Sequence, residues 1–186
     1  MHDLLKRLIA EASELTTFLS VHGQLSLVNI ANDNSRKTLV LSAASLFENR
    51  ITEALLGYAD RASNSDPCIV SMIRIKAIKR QYHTFFDWEK SKASTFYTLL
   101  GDRLGSELKQ SCSSDPGKTA VAAFLELGQL RNCLVHQNFA EYAVDKSISE
   151  ICALCEHADE FVQLVESLLA GRASEAATSA DSIAKE

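Results

Sequence analysis

Near the end of one helical segment the chain reads Leu130-Arg131-Asn132-Cys133-Leu134-Val135-His136-Gln137-Asn138-Phe139. At 3.6 residues per turn Asn132 and His136 lie one turn apart on one face. Arg131 lies about 140° round the axis from His136, within reach of a long side chain. Leu130 and Leu134 form a separate apolar pair four apart, so a core-facing stripe accounts for the leucines and leaves the polar three to point elsewhere. A fixed cation, an amide and an imidazole would then stand together at a helix end. Such a set suits cleavage of an RNA phosphodiester without a metal. A neutral imidazole can take a proton from a 2′-hydroxyl or return one to the leaving oxygen, a contribution of about 10²–10⁴ in rate. The forked guanidinium can hold non-bridging phosphate oxygens and stabilise the charge that builds on them. Asn132 can orient either partner. On spacing alone the same residues also read as a capping histidine beside a surface arginine.

The other residues with chemical potential are scattered. Between Arg74 and Lys92 stand Arg74, Lys76, Lys79, Arg80, Lys90 and Lys92 against Asp87 and Glu89. This is the best phosphate-binding patch in the chain, with Arg74, Lys76, Lys79 and Arg80 as candidate RNA contacts, or else a solvated helix face. His83, Phe85, Phe86 and Trp88 either stack bases or fill the core. Cys152 and Cys155 with His157 have the spacing of half a zinc knuckle, but a closed site needs four ligands and no second pair follows. No metal or cofactor is expected. Gly101 to Gly105 has the wrong register and no Lys-Ser/Thr ending for a phosphate loop, and Asp115-Pro-Gly-Lys-Thr119 lacks the upstream glycine.

The elements that must position these residues are helices. Asp3 to about Val21 repeats Leu4, Leu5, Leu8, Ile9, Ala12, Leu15, Phe18 and Leu19 at helical spacing, and His22-Gly23 stops it. Gln24 to Asn34 reads as an Asn-rich loop with a short extended piece at most. Ser35 or a neighbour then caps a long helix to about Arg61 through Leu39, Val40, Ala43, Phe47, Ile51 and Leu55. After the turn Ser63-Asn-Ser-Asp-Pro67, a basic helix is expected over Ile69 to Tyr82. His83 to Gln110 suggests one or two short helices, Ser111 to Gly117 a loop, Thr119 to His136 a helix ending on the polar trio, and Ser147 to Leu169 a last amphipathic helix. The tail 171–186 lacks large apolar anchors and is expected to be disordered. The expectation is therefore an all-α bundle of about five to six helices, a single domain over 1–170.

Composition agrees. Two prolines and seven glycines in 186 residues are too few punctuators for a sandwich or barrel. A net charge of -5 would repel nucleic acid overall, so any such contact must be local. Five cysteines without a disulfide pattern point to a reducing cytoplasm. The mixed charges of the first eleven residues are unlike a signal peptide, and no apolar run approaches the ~18 residues of a membrane span.

The stretch Phe124-Leu-Glu-Leu-Gly-Gln-Leu-Arg131-Asn132-Cys-Leu-Val-His136-Gln-Asn-Phe resembles the signature of the HEPN superfamily: an Arg, a polar residue, three variable residues and a His near a helix end, just before a last long helix. The segment Ser45-Leu-Phe47-Glu48-Asn-Arg-Ile51 is similar to an earlier helix of that family, which often brings an acidic residue toward the motif. The aromatic middle resembles a subgroup found in prokaryotic defence and toxin systems. The resemblance covers roughly Thr38 to Leu169. It implies a helical bundle that forms a homodimer with two motifs facing across a cleft, and RNA cleavage by 2′-hydroxyl attack. Arg131 and His136 would be the catalytic pair and Asn132 the polar position. Glu48 would join them, or else pair with Arg131 or Arg50. An antitoxin or defence-system protein is the implied partner. Asn138 stands where a regulatory tyrosine is usual in the toxin branch controlled by a nucleotidyltransferase. The alternative is a silent HEPN-like module that binds RNA, a nucleotide or a partner protein without cutting.

Overall fold

The computed structural model describes residues 2–183, and the side chains of 2–171. Among the described residues it holds seven α-helices and no strand: α1 (Asp3–Val21), α2 (Leu25–Ala62), α3 (Pro67–Ile73), α4 (Ser94–Leu99), α5 (Gly101–Ser111), α6 (Gly117–His136) and α7 (Ile148–Ile183). The expected all-α bundle is what is observed. Its centre forms two short helices, and among the described residues the one extended pairing is an isolated bridge between Asp87 and Lys92. Of the tail expected over 171–186, residues 184–186 and the side chains of 172–183 lie outside the described residues.

Three long helices make the core. Leu39, Val40, Ala43, Phe47 and Ile51 of α2 recur at three- and four-residue spacing. They meet Ala120, Phe124, Leu127 and Leu134 of α6 and Ile151, Ala158, Phe161, Val162 and Val165 of α7, all buried. An aromatic cluster knits the connecting segment to them. Phe86 stacks on Phe96 at 4.8 Å and approaches Phe124 at 4.9 Å, and Phe124 lies 4.8 Å from Phe161. Arg50 crosses from α2 to α7, donating to both carboxylate oxygens of Glu166 at 2.8 and 2.7 Å and to Asp159.

Leu25 to Asn34 is helical, against the loop expected over Gln24 to Asn34, and α2 begins at Leu25 with Gln24, not Ser35, as its cap residue. Asn and Asp are weak helix formers. Here α1 packs against α2, Ala12 and Leu15 lining one groove with Ala31 and Asn34, and Asp33 reaches Arg36 at 3.3 Å and Lys37 at 2.7 Å one turn on. Tertiary contact and two local ion pairs thus override composition. Gly23, at φ +70°, makes the sharp reversal between the two helices.

The expected basic helix over Ile69 to Tyr82 also ends early. Asp66 caps α3 by accepting from the Cys68 and Ile69 amides at 2.9 and 3.0 Å, with Pro67 in the first turn. The helix then widens into a single π turn over Arg74–Ile78, closed by the Lys79 amide on the Arg74 carbonyl at 2.7 Å. That wide turn and Arg80, at φ +63°, break the α register before Tyr82. Between α5 and α6, Gly117 is a packing residue: a Cβ there would lie 2.0 Å from the Ser111 carbonyl oxygen. Among the described residues no helix is long and apolar enough to cross a membrane.

Candidate active site

A cleft of about 260 Å³ opens between α2, the segment after α3, and α6. Ala44, Phe47 and Glu48 line it from α2, and Phe124, Leu127, Gly128, Arg131 and Asn132 from α6. Arg80, Tyr82, His83 and Trp88 line it from the connecting segment. The floor is apolar because Phe47, Phe124 and Leu127 belong to the core. The lip is polar because Glu48, Arg131 and Asn132 are the half-buried residues at the edge of the same helix faces.

The α6 residues sit where helical spacing put them. Arg131 donates through Nη1 to Asn132 Oδ1 at 3.1 Å, which holds the guanidinium at the lip and leaves other donors of its fork for a ligand. His136 is the last residue of α6, exposed to solvent and outside the lining of the cleft. It stands one turn past Asn132, flanked by the exposed apolar side chains of Val135 and Phe139. The segment that follows is pinned from below. Lys37, buried on α2, donates to the Phe139 carbonyl oxygen at 2.9 Å, and its ammonium lies 5.1 Å from the Phe139 ring centre.

Glu48 lines the cleft opposite the arginine. Of the two pairings open to it, neither is made: Arg50 is taken by Asp159 and Glu166, and Arg131 by Asn132. Two residues along a helix are about 200° apart, so Glu48 and Arg50 leave α2 on different sides. Tyr82 lines the same cleft as Glu48 and Arg131. Burial first, then the Glu48 carboxylate, push its hydroxyl above the ordinary range, with Arg131 pulling the other way. The phenol therefore stays protonated, a neutral donor at the cleft wall.

The aromatic segment divides. Phe85 and Phe86 are core residues, each 3% exposed, whereas His83 and Trp88 face the cleft. A tight turn fixes Trp88: Asp87 and Lys92 exchange two backbone hydrogen bonds at 3.0 Å, and the Trp88 indole N–H donates to the His83 carbonyl at 3.1 Å. The ring lies directly over Gly128, where a Cβ would come within 2.0 Å of Cζ3. Only glycine lets the ring approach α6 so closely.

Of the four basic candidates, Arg80 alone lines the cleft. Arg74, Lys76 and Lys79 are exposed along the π turn and its end, outside the lining. Arg80 adopts the left-handed backbone conformation, which costs a residue with a side chain about 1–2 kcal/mol and turns the chain back toward α6. Tyr82 and Gly128 carried no signal in the sequence, since a lone tyrosine and a mid-helix glycine stand out only once their neighbours in space are known. Cys155 is fully buried, and its thiol is pushed up to about 12, by burial first and then by Cys152. Such a thiol resists becoming a thiolate ligand. Among the described residues no group of three His, Cys, Asp or Glu side chains is assembled for a metal.

A family model described as RiboL-PSP-HEPN matches residues 6–171, which spans α1 to α6 and the described side chains of α7. No curated protein and no solved structure matches the chain.

Proposed function

The chain belongs to the RiboL-PSP-HEPN family, and from that premise we propose that it is a metal-independent endoribonuclease, a cytoplasmic toxin or anti-phage effector held in check by a partner protein. The observation that carries the reading is the placing of Arg131 and Asn132 at the lip of the cleft, with His136 one turn further on the same helix end. An RNA strand crossing that lip would set its scissile phosphate at the Arg131 fork. The His136 imidazole takes the 2′-hydroxyl proton, and the 2′-oxygen attacks phosphorus. The bond to the 5′-oxygen breaks, leaving a 2′,3′-cyclic phosphate and, after protonation of that oxygen, a 5′-hydroxyl. Val135 at 50% and Phe139 at 44% exposure flank His136. They are apolar surface suited to a second copy that faces the first motif with its own and supplies the protonating imidazolium.

The test is cleavage of single-stranded RNA by the purified protein in excess EDTA. Activity that leaves 2′,3′-cyclic phosphate ends and spares DNA is expected, as the 2′-hydroxyl is the nucleophile. Arg131→Ala and His136→Ala should each abolish it. His136→Ala should leave stability within about 0.5 kcal/mol, as the side chain is exposed. Arg131→Lys should not restore activity, because the fork is lost. Wild-type cutting by His136→Ala, or activity lost to chelator and restored by Mg²⁺, would sink the mechanism. The position of His136 outside the cleft lining favours one second reading, a module that binds RNA without cutting. RNA binding with no cleavage by the wild type would select it.

A further inference from the structure

We propose that the cleft beside Arg131 is a seat for one unpaired guanine of the RNA, its Watson–Crick edge held by the Glu48 carboxylate. This rests on the ribonuclease reading only for the identity of the polymer; the binding chemistry is that of the cleft itself.

Size comes first. About 260 Å³ falls just below the roughly 300–1,000 Å³ of drug-sized pockets. It suits one base and excludes a stacked pair or a duplex, so the base must be unpaired and turned out of its strand. The walls come next. Trp88 and Tyr82, with ring centres 5.9 Å apart, line it together with the core rings of Phe47 and Phe124, and Trp88 is immobilised by Gly128 beneath it and by its bond to the His83 carbonyl. Rigid aromatic walls suit any base, since each has a π-face.

Selection falls to Glu48. Glu48 is half-buried in the cleft lining, and its carboxylate makes no hydrogen bond or ion pair among the described residues, although Arg50 follows it by two positions and Arg131 lines the same cleft. An ionised carboxylate only accepts hydrogen bonds, through two oxygens side by side. Guanine alone presents two adjacent donors on its Watson–Crick edge, the N1–H and the 2-amino group. Adenine and cytosine place a ring-nitrogen acceptor beside their single amine, and uracil sets its one N–H between two carbonyls. Each would bring a lone pair against the second oxygen of Glu48. The charges are laid out to match: Glu48 on the α2 side of the cleft for the base, and Arg131 and Arg80 on the α6 and connecting-segment sides for the flanking phosphates.

Trp88 is the single tryptophan of the chain, so its emission reports this cleft directly. The experiment titrates His136→Ala protein, which lacks the proposed base but keeps every cleft residue, with the 3′-monophosphates of the four nucleosides. Guanosine 3′-monophosphate should change the emission saturably and bind at least about ten-fold tighter than the other three. In the double variant with Glu48→Gln that preference should vanish, because an amide replaces one acceptor with a donor. A circular-dichroism spectrum unchanged from the parent certifies the fold. An equal response to all four nucleotides, no saturable response, or a guanosine preference that survives Glu48→Gln would overturn the proposal. Cleavage of RNAs permuted at each position around the cut separates the two readings. Guanosine binding without cleavage by the wild type retains this seat and removes the ribonuclease. Cleavage indifferent to base, with no guanosine preference in emission, does the reverse.

Discussion

The ammonium of Lys37, 2% exposed on α2, donates to the carbonyl oxygen of Phe139 at 2.9 Å, three residues beyond His136. The same ammonium pairs with Asp33 at 2.7 Å, so one buried cation ties the α1–α2 end of the bundle to the chain that leaves α6. Replacing it with Met keeps the length of the stem and removes the charge. Lys37→Met should lose about 1–3 kcal/mol, the cost of leaving its acceptors unsatisfied, read from the urea midpoint. RNA turnover should fall about 10- to 100-fold, because a small displacement of a reacting group costs that much. Unchanged turnover in a destabilised variant would show that the tie does not set His136.

The same pair sets an acid limit. Its hydrogen bond to Lys37 holds the Asp33 carboxyl below its ordinary value, with Arg36 adding to the effect and partial burial opposing it. A carboxyl lowered in the folded state contributes stability that is present above its unfolded value of ~3.9 and is lost as pH falls through the folded value. Urea midpoints of the wild type should therefore drop more steeply below about pH 4 than those of Asp33→Asn, with the two curves converging at the acid end. Parallel curves would show the pair to be energetically silent.

Arg50→Met should cost about 3–5 kcal/mol, since it withdraws the guanidinium from Asp159, itself only 5% exposed, inside the α2–α7 interface. Hydrogen bonds to Glu166 and Asp159 also hold that guanidinium firmly protonated, so the loss should be nearly constant across neutral and alkaline pH. Below the melting range, RNA cleavage per folded molecule should stay near wild type, because Arg50 faces α7 and not the cleft. A loss of cleavage with stability intact would assign it a part in the site.

Gly128→Ala sets two effects against each other. Alanine favours a helix interior by about 1 kcal/mol, but its methyl group would lie 2.0 Å from Trp88, and overpacking costs about 1–3 kcal/mol. Net destabilisation is expected. The sharper readout is optical: the displaced indole should shift its emission to the red. An unchanged emission maximum would mean that the ring has room that the packing denies it.

Local pattern determined the fold class, the extent of α1, α6 and the start of α7, and the presence of Arg131, Asn132 and His136 at one helix end. Apolar spacing and caps are properties of neighbouring residues, and those segments were legible for that reason. Partnership was not legible. Glu48 and Arg50 are two residues apart, yet one lines the cleft and the other bridges to α7, because the angle at which α2 meets its neighbours decides which side is which. Leu25 to Asn34 became helix because α1 lies against it. Phe86 went to the core while Trp88, two positions on, went to the cleft, because a tight turn and the bare backbone of Gly128 admitted the larger ring. Arg80 reached the rim while Arg74, Lys76 and Lys79 stayed in solvent, since a π turn and one left-handed residue redirect the chain between them. Each outcome was decided by close packing between segments far apart in the chain, where a side chain has a few discrete places to go and its nearest neighbours in sequence do not say which.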